Sequence, residues 1–245
     1  MWTWFHRFGS PRYFYTIAGR LVPWVGGACL VLMVAGLYLG LFVAPPDYQQ
    51  GESYRIIFIH VPAAWMSMFI YVFMAGAAAV GLIWRVKLTG VIAVASAPIG
   101  ASFTFLALAT GSLWGKPMWG TWWVWDARLT SELILLFLYL GFMALHNAIH
   151  DPKTAWRAGA ILLLVGVINI PIIHYSVEWW YTLHQPATIT KFDKPSIHWS
   201  MLVPLLLMAL SFKLFYFLTL LIRARAEILD RERRSSWVAE MVNEG

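Results

Sequence analysis

The sequence predicts an all-α integral membrane protein, a bundle of six transmembrane helices with a tryptophan-rich outer loop, and three observations carry that class. Of 245 residues, 60% are hydrophobic and only 12% charged, more apolar side chain than a soluble core of this size can use. Apolar runs of about 20 residues, enough to cross a hydrocarbon core of ~30 Å, recur six times. The lysines and arginines outside those runs are concentrated on alternate connections.

The runs are Leu21–Ala44, Ile56–Trp84, Val91–Leu113, Ser131–Ile149, Ala158–His174 and Trp199–Ile222. Together they make one membrane domain over 1–245, with 223–245 as a cytoplasmic tail. The first run is too long for a signal-peptide core and no small-residue cleavage site follows it, so it reads as a retained span. Cys29, the single cysteine, lies inside it, which excludes an internal disulfide, a Cys-x-x-Cys pair and a thiolate cluster. At the outer end of the second run Pro62 closely follows His60 and suits the first turn of a helix, which leaves His60 projecting from a rigid helix start. Its small residues from Gly76 to Gly81 suit close contact with another span or subunit. Pro98, Pro171 and Pro204 lie in later runs, where each removes a backbone donor and can kink its helix. In the fourth, Thr130 or Ser131 can cap the helix, with Glu132 in its positive first turn. The tail alternates in charge and ends acidic, as a solvated helix or a disordered end does. There is no phosphate-binding Gly-Lys motif, so any ATP hydrolysis must come from another chain.

Orientation follows from the connections. The N-terminal segment, the Trp84–Val91 link, the His150–Arg157 link and the tail hold twelve basic residues: Arg7, Arg12, Arg20, Arg85, Lys87, Lys153, Arg157, Arg223, Arg225, Arg231, Arg233 and Arg234. The three opposite loops hold five: Arg55, Lys116, Arg128, Lys191 and Lys194. Both termini are therefore expected in the cytoplasm and the tryptophan-rich loop outside. The basic excess is topological, so the lipid bilayer is the expected partner and nucleic acid is not.

That loop is the most specific part of the chain. Trp114, Trp119, Trp122, Trp123 and Trp125 fall within twelve residues and are followed by Asp126 and Arg128. If Trp119 to Asp126 is helical, Trp119, Trp122, Trp123 and Asp126 form one aromatic face ending in an acid, able to receive a flat ligand. Tryptophan also concentrates where membrane meets water, so the same residues fit an interfacial anchor.

The pattern Trp119-Gly120-x-x-Trp123-x-Trp125-Asp126-x-Arg128-Leu129-Thr130 resembles the "WWD" signature of bacterial haem-handling membrane proteins. With its length, span count and histidine positions, nearly the whole chain resembles the haem exporter protein C family of the cytochrome c maturation apparatus. The resemblance implies a bacterial inner-membrane protein that binds haem b at the periplasmic face and delivers it to a periplasmic haem chaperone. It also implies partners: an ATPase subunit and a second membrane subunit of an ABC-type complex, and a small single-span membrane protein. No separate catalytic acid, base or nucleophile stands out, so the chain reads as a haem-handling subunit and not an enzyme.

Topology sorts the seven histidines: His6, His146 and His150 belong to the inner side, while His60, His174, His184 and His198 lie at or near the outer face. The resemblance implies His60 and His184 as axial ligands of the haem iron. His174 and His198 compete, each at an outer span end. The five tryptophans can stack on or border the porphyrin. Helical spacing favours Trp119, Trp122 and Trp123, whereas the family pattern marks Trp119, Trp123 and Trp125, so Trp122 and Trp125 stay open. Arg128, or equally Arg55, can hold a propionate by a charge-assisted bidentate contact. Asp126 can orient a ligand, a Trp N–H or Arg128, or form an exposed ion pair with Arg128 worth little.

Two other functions remain in view. A membrane subunit holding b-type haem for electron transfer usually places its histidines within the spans. A cytochrome c synthetase sharing the WWD signature is normally a much longer chain.

Overall fold

In the computed structural model, which describes residues 9–184 and 196–243, six helices are long and apolar enough to cross a membrane. No strand occurs among the described residues. Helix α1 (Pro11–Tyr38) ends in a π-helical turn, Leu39–Val43. A short 3-10 turn, Glu52–Ile56, leads into α2 (Ile57–Trp84), and a two-residue link connects this to α3 (Lys87–Trp119). Then follow α4 (Ala127–Ala148), the broken pair α5 (Pro152–Gly166) and α6 (Asn169–Trp179), and α7 (Trp199–Arg231) with a short terminal α8 (Ser236–Asn243). Helix α1 lies along α7 and α2 along α3, while α4 packs against α3, α5 and α6.

Lipid tails are as apolar as leucine, so close packing and internal polar pairing must hold the spans together. Gly81 shows the first device: a Cβ there would lie 2.7 Å from the Trp156 ring, so α2 and α5 approach through a missing side chain. A Cβ at Gly76 would meet nothing within 4 Å, which leaves only part of the small-residue series in this contact. Buried tyrosines supply the second device. Tyr139 donates to the Ser67 carbonyl (2.7 Å), and the Tyr216 and Ser96 hydroxyls pair at 2.9 Å. Cys29 is buried, with its thiol directed at the Ser211 carbonyl.

Several local expectations are corrected. Trp119 to Asp126 is not a helix: α3 stops at Trp119 because Gly120 takes φ +76°, a left-handed conformation that favours glycine. Pro62 sits in the second turn of α2, because the preceding 3-10 turn delivers a helix that already starts at Ile57. Asp126, and not Thr130 or Ser131, caps α4 by accepting the Leu129 N–H at 2.8 Å. The fifth run divides between α5 and α6. Pro171 cannot donate to the Val167 carbonyl, which instead accepts from Ile170 N–H (3.0 Å), and the Asn169 amide ties the break to the Ser131 carbonyl (2.8 Å). Pro98 and Pro204 lie inside unbroken helices.

One charge is out of place. Lys213 projects exposed from the middle of α7, where a lysine in a bilayer costs about 2.5–3.5 kcal/mol. Its recorded contact is the face of Phe69, 4.9 Å from ammonium to ring centroid.

Candidate functional site

A cavity of about 100 Å³ opens at the end of the bundle where the tryptophans gather. Helix α2 contributes His60, Ala64 and Met68 at successive i, i+4 positions, plus Trp65; α3 contributes Gly111, Trp114 and Trp119. Arg128 and Glu132, also four apart, come from α4, Ile173 from α6, and His184 from the segment after it.

His60 is buried and its orientation is fixed across the α2–α3 contact. Its Nδ1 lies 3.0 Å from Thr110 Oγ1. The Thr110 hydroxyl donates its own hydrogen to the Leu106 carbonyl at 2.6 Å, so it accepts from His60 Nδ1–H and leaves Nε2 with a lone pair. This is the outer-sphere support that metal-binding imidazoles commonly have. Space for the ring comes from Gly111, where a Cβ would fall 2.9 Å from His60 Cε1. Gly111→Ala is therefore expected to push the imidazole off its hydrogen bond and lower ligand occupancy by about tenfold, the scale of losing such support. Gly76→Ala, facing open space, is the matched control; equal occupancy in both variants would show that the ring is not confined by Gly111.

The His60 and His184 ring centroids are 6.3 Å apart at 32°. Trp114 meets His60 edge-on at 5.7 Å, and Trp119 lies 6.4 Å from His184. Two imidazoles on opposite sides of one metal ion, each bonded at about 2.0–2.1 Å, have ring centres roughly 6 Å apart. The separation fits a shared iron, and the aromatic lining fits a flat macrocycle. His174 packs on Tyr175 and His198 caps α7 through Ser200, so neither lines the cavity.

The remaining tryptophans divide. Trp114 is anchored by Nε1–H donation to Gln50 Oε1 (3.0 Å), tying α3 to the first loop. Trp122 and Trp125 are exposed, the former with Lys116 5.9 Å over its ring. Trp123 stands edge-on to Trp125 at 5.5 Å and lines a small neighbouring pocket with Thr121, Asp126 and His184. Trp119 and Trp122 border that pocket too, but not as the expected helical face, because the chain between Gly120 and Asp126 is non-helical and is held by Ser112 Oγ–H to the Trp122 carbonyl (2.7 Å).

Arg128 and Arg55 also separate. Arg128 lines the cavity, with one weak contact to the Ile173 carbonyl at 3.4 Å. Arg55 is engaged with the Glu52 carboxylate and donates to the Gly40 carbonyl (2.7 Å), so it braces the first loop and does not line the cavity. Asp126 forms no ion pair with Arg128; its Oδ1 caps α4, and its Oδ2 and Trp123 Nε1 are buried without recorded partners.

Sequence reasoning missed Trp65, Met68 and Glu132. The first two were hidden in an apolar run, though the i, i+4, i+8 register from His60 to Met68 pointed to one face. Glu132, read as a favourable first-turn acid, is buried on the cavity wall and accepts from Ser67 Oγ at 2.7 Å. Its spacing from Arg128 was the available signal.

Comparison with known proteins agrees with this architecture. The family described as "Heme exporter protein C" matches residues 4–239. The chain is 52% identical over 238 residues to heme exporter protein C of Haemophilus influenzae, covering 97% of both chains. It is 52% identical over 242 residues to that of Escherichia coli strain K12, covering 99% of this chain and 98% of the relative. Against the Bradyrhizobium diazoefficiens protein the identity is 53% over 226 residues, 92% of this chain and 86% of the other. Agreement at this level from one end of the bundle to the other shows that the chain belongs to the heme exporter protein C family.

Proposed function

We propose that this chain binds haem b at the periplasmic face of the bacterial inner membrane, through His60 and His184, and delivers it to a periplasmic haem chaperone for c-type cytochrome biogenesis. The observation that carries the reading is the imidazole pair 6.3 Å apart beside Trp114 and Trp119, with His60 Nε2 left available. A propionate fits Arg128, whose guanidinium faces the cavity with its hydrogen-bonding capacity largely unspent. Enclosed ligands of drug size usually occupy roughly 300 Å³ or more, so a cavity of about 100 Å³ leaves much of a porphyrin outside. An uncovered edge is what a receiving chaperone needs.

The chain handles haem and does not transform it, and an ATPase subunit, a second membrane subunit and a small single-span protein are its expected companions. Trp122 and Trp125, exposed at the same end, suit the headgroup region. Purification in detergent with the chaperone present, followed by a visible spectrum, tests the reading. A spectrum of haem bound through two imidazoles, lost as the chaperone becomes loaded, is expected. Lasting absence of haem would sink the proposal, and haem that cycles between redox states without transfer would favour electron transport.

Orientation is tested separately. The twelve-to-five basic distribution supports cytoplasmic termini. Reporter fusions after Gln50, Trp122 and Lys191 should read periplasmic, and those after Lys87 and Lys153 cytoplasmic. A reversed pair would put the cavity on the wrong side for delivery.

A further inference from the structure

Of the 18 lysines and arginines, Lys213 alone falls inside one of the six apolar runs. It lies fourteen residues after Trp199 and ten before Arg223, so at 1.5 Å per residue about 21 Å and 15 Å of helix separate it from the two ends. Side chains lean toward the helix N-terminus, and a lysine stem reaches about 6 Å, which brings the ammonium to mid-depth instead of to either interface. Snorkelling therefore falls short.

The surroundings of Lys213 repeat with a purpose. Val203, Leu206, Leu210, Lys213 and Phe217 follow one another at intervals of three, four, three and four, and the first four are exposed. That is the heptad spacing of a helix-to-helix seam, in which a single polar residue sets register and partner. Among the described residues no acid stands there to neutralise it. Glu52, Glu178, Glu227 and Asp230 stand near span ends, and Glu132 is buried against Ser67. A second copy places its described acids at the same depths, so none of them reaches Lys213 either.

We infer that the Val203–Phe217 stripe of α7 docks a membrane-spanning helix of a different chain, which brings an Asp or Glu side chain to Lys213 at the middle of the bilayer. The carboxylate pairs with the ammonium while Phe69 covers its other side. The apolar stripe supplies the knobs-into-holes contact on either side of that pair.

Photocross-linking in membranes of cells expressing the complete maturation apparatus tests this, with p-benzoylphenylalanine replacing Leu210. The expected adduct is a discrete membrane protein whose cross-linked helix carries an Asp or Glu. Lys213→Asp should lower its yield about tenfold by placing like charges together, and replacing the partner's acid by Lys should restore it. Lys213→Met, which removes the buried-charge cost and leaves the span apolar, should accumulate normally and still lower the yield severalfold. Adducts with lipid only, with a second copy of this chain, or with a helix lacking an acid would overturn the inference. So would a yield unchanged by both substitutions.

Discussion

His60→Ala is expected to remove the bis-imidazole spectrum and to reduce bound haem by about a hundredfold or more, since removing even an outer-sphere support of a metal ligand costs about 10–100-fold. The loss should exceed that of an ordinary cavity substitution because His60 is held twice over, by Thr110 at Nδ1 and by the ring-sized gap over Gly111. His184→Ala should behave alike, with free imidazole partly restoring either variant. His174→Ala is the internal control, its ring packed on Tyr175 and away from the cavity. If His174→Ala abolished the spectrum while His184→Ala kept it, the axial pair would have to be reassigned.

The second large effect concerns transfer. Trp114→Ala combined with Trp119→Ala should preserve part of the two-imidazole spectrum and yet cut chaperone loading by about tenfold or more. Stacking and ligation hold a macrocycle by separate means, each aromatic contact adding about 0.5–1.5 kcal/mol, and a displacement of about 1 Å can cost two orders of magnitude in rate. These two rings are the ones within 5.7 and 6.4 Å of the histidines. Trp122→Ala with Trp125→Ala should leave loading near normal, because both side chains face outward. Normal loading by the first pair, at equal protein level, would remove Trp114 and Trp119 from haem presentation.

What could be read from the sequence was whatever depends on a solvent boundary or on local chemistry. Six spans follow from apolar length against bilayer thickness, and the family follows from a WWD pattern too rare to arise from composition, whereas His60 and His184 were reached only through what that resemblance implies. Local rules failed where two of them competed. Helical spacing grouped Trp119, Trp122 and Trp123, but Gly120 and the Asp126 cap ended one helix and began the next, which turned Trp122 outward. Arg55 and Arg128 were equivalent as sequence. Packing separated them, since Glu52 and Gly40 engage one while the other faces the cavity.

The sequence by itself determined the helical class, the number of spans and the family, because burial in lipid and motif identity are properties of residues in order. Only the tertiary structure decided that Trp65, Met68 and Glu132 share a wall with His60, that Thr110 fixes its tautomer, and that two imidazoles separated by 124 positions stand 6.3 Å apart. Those are distances between helices, and helices pack through side-chain shape that no single span contains.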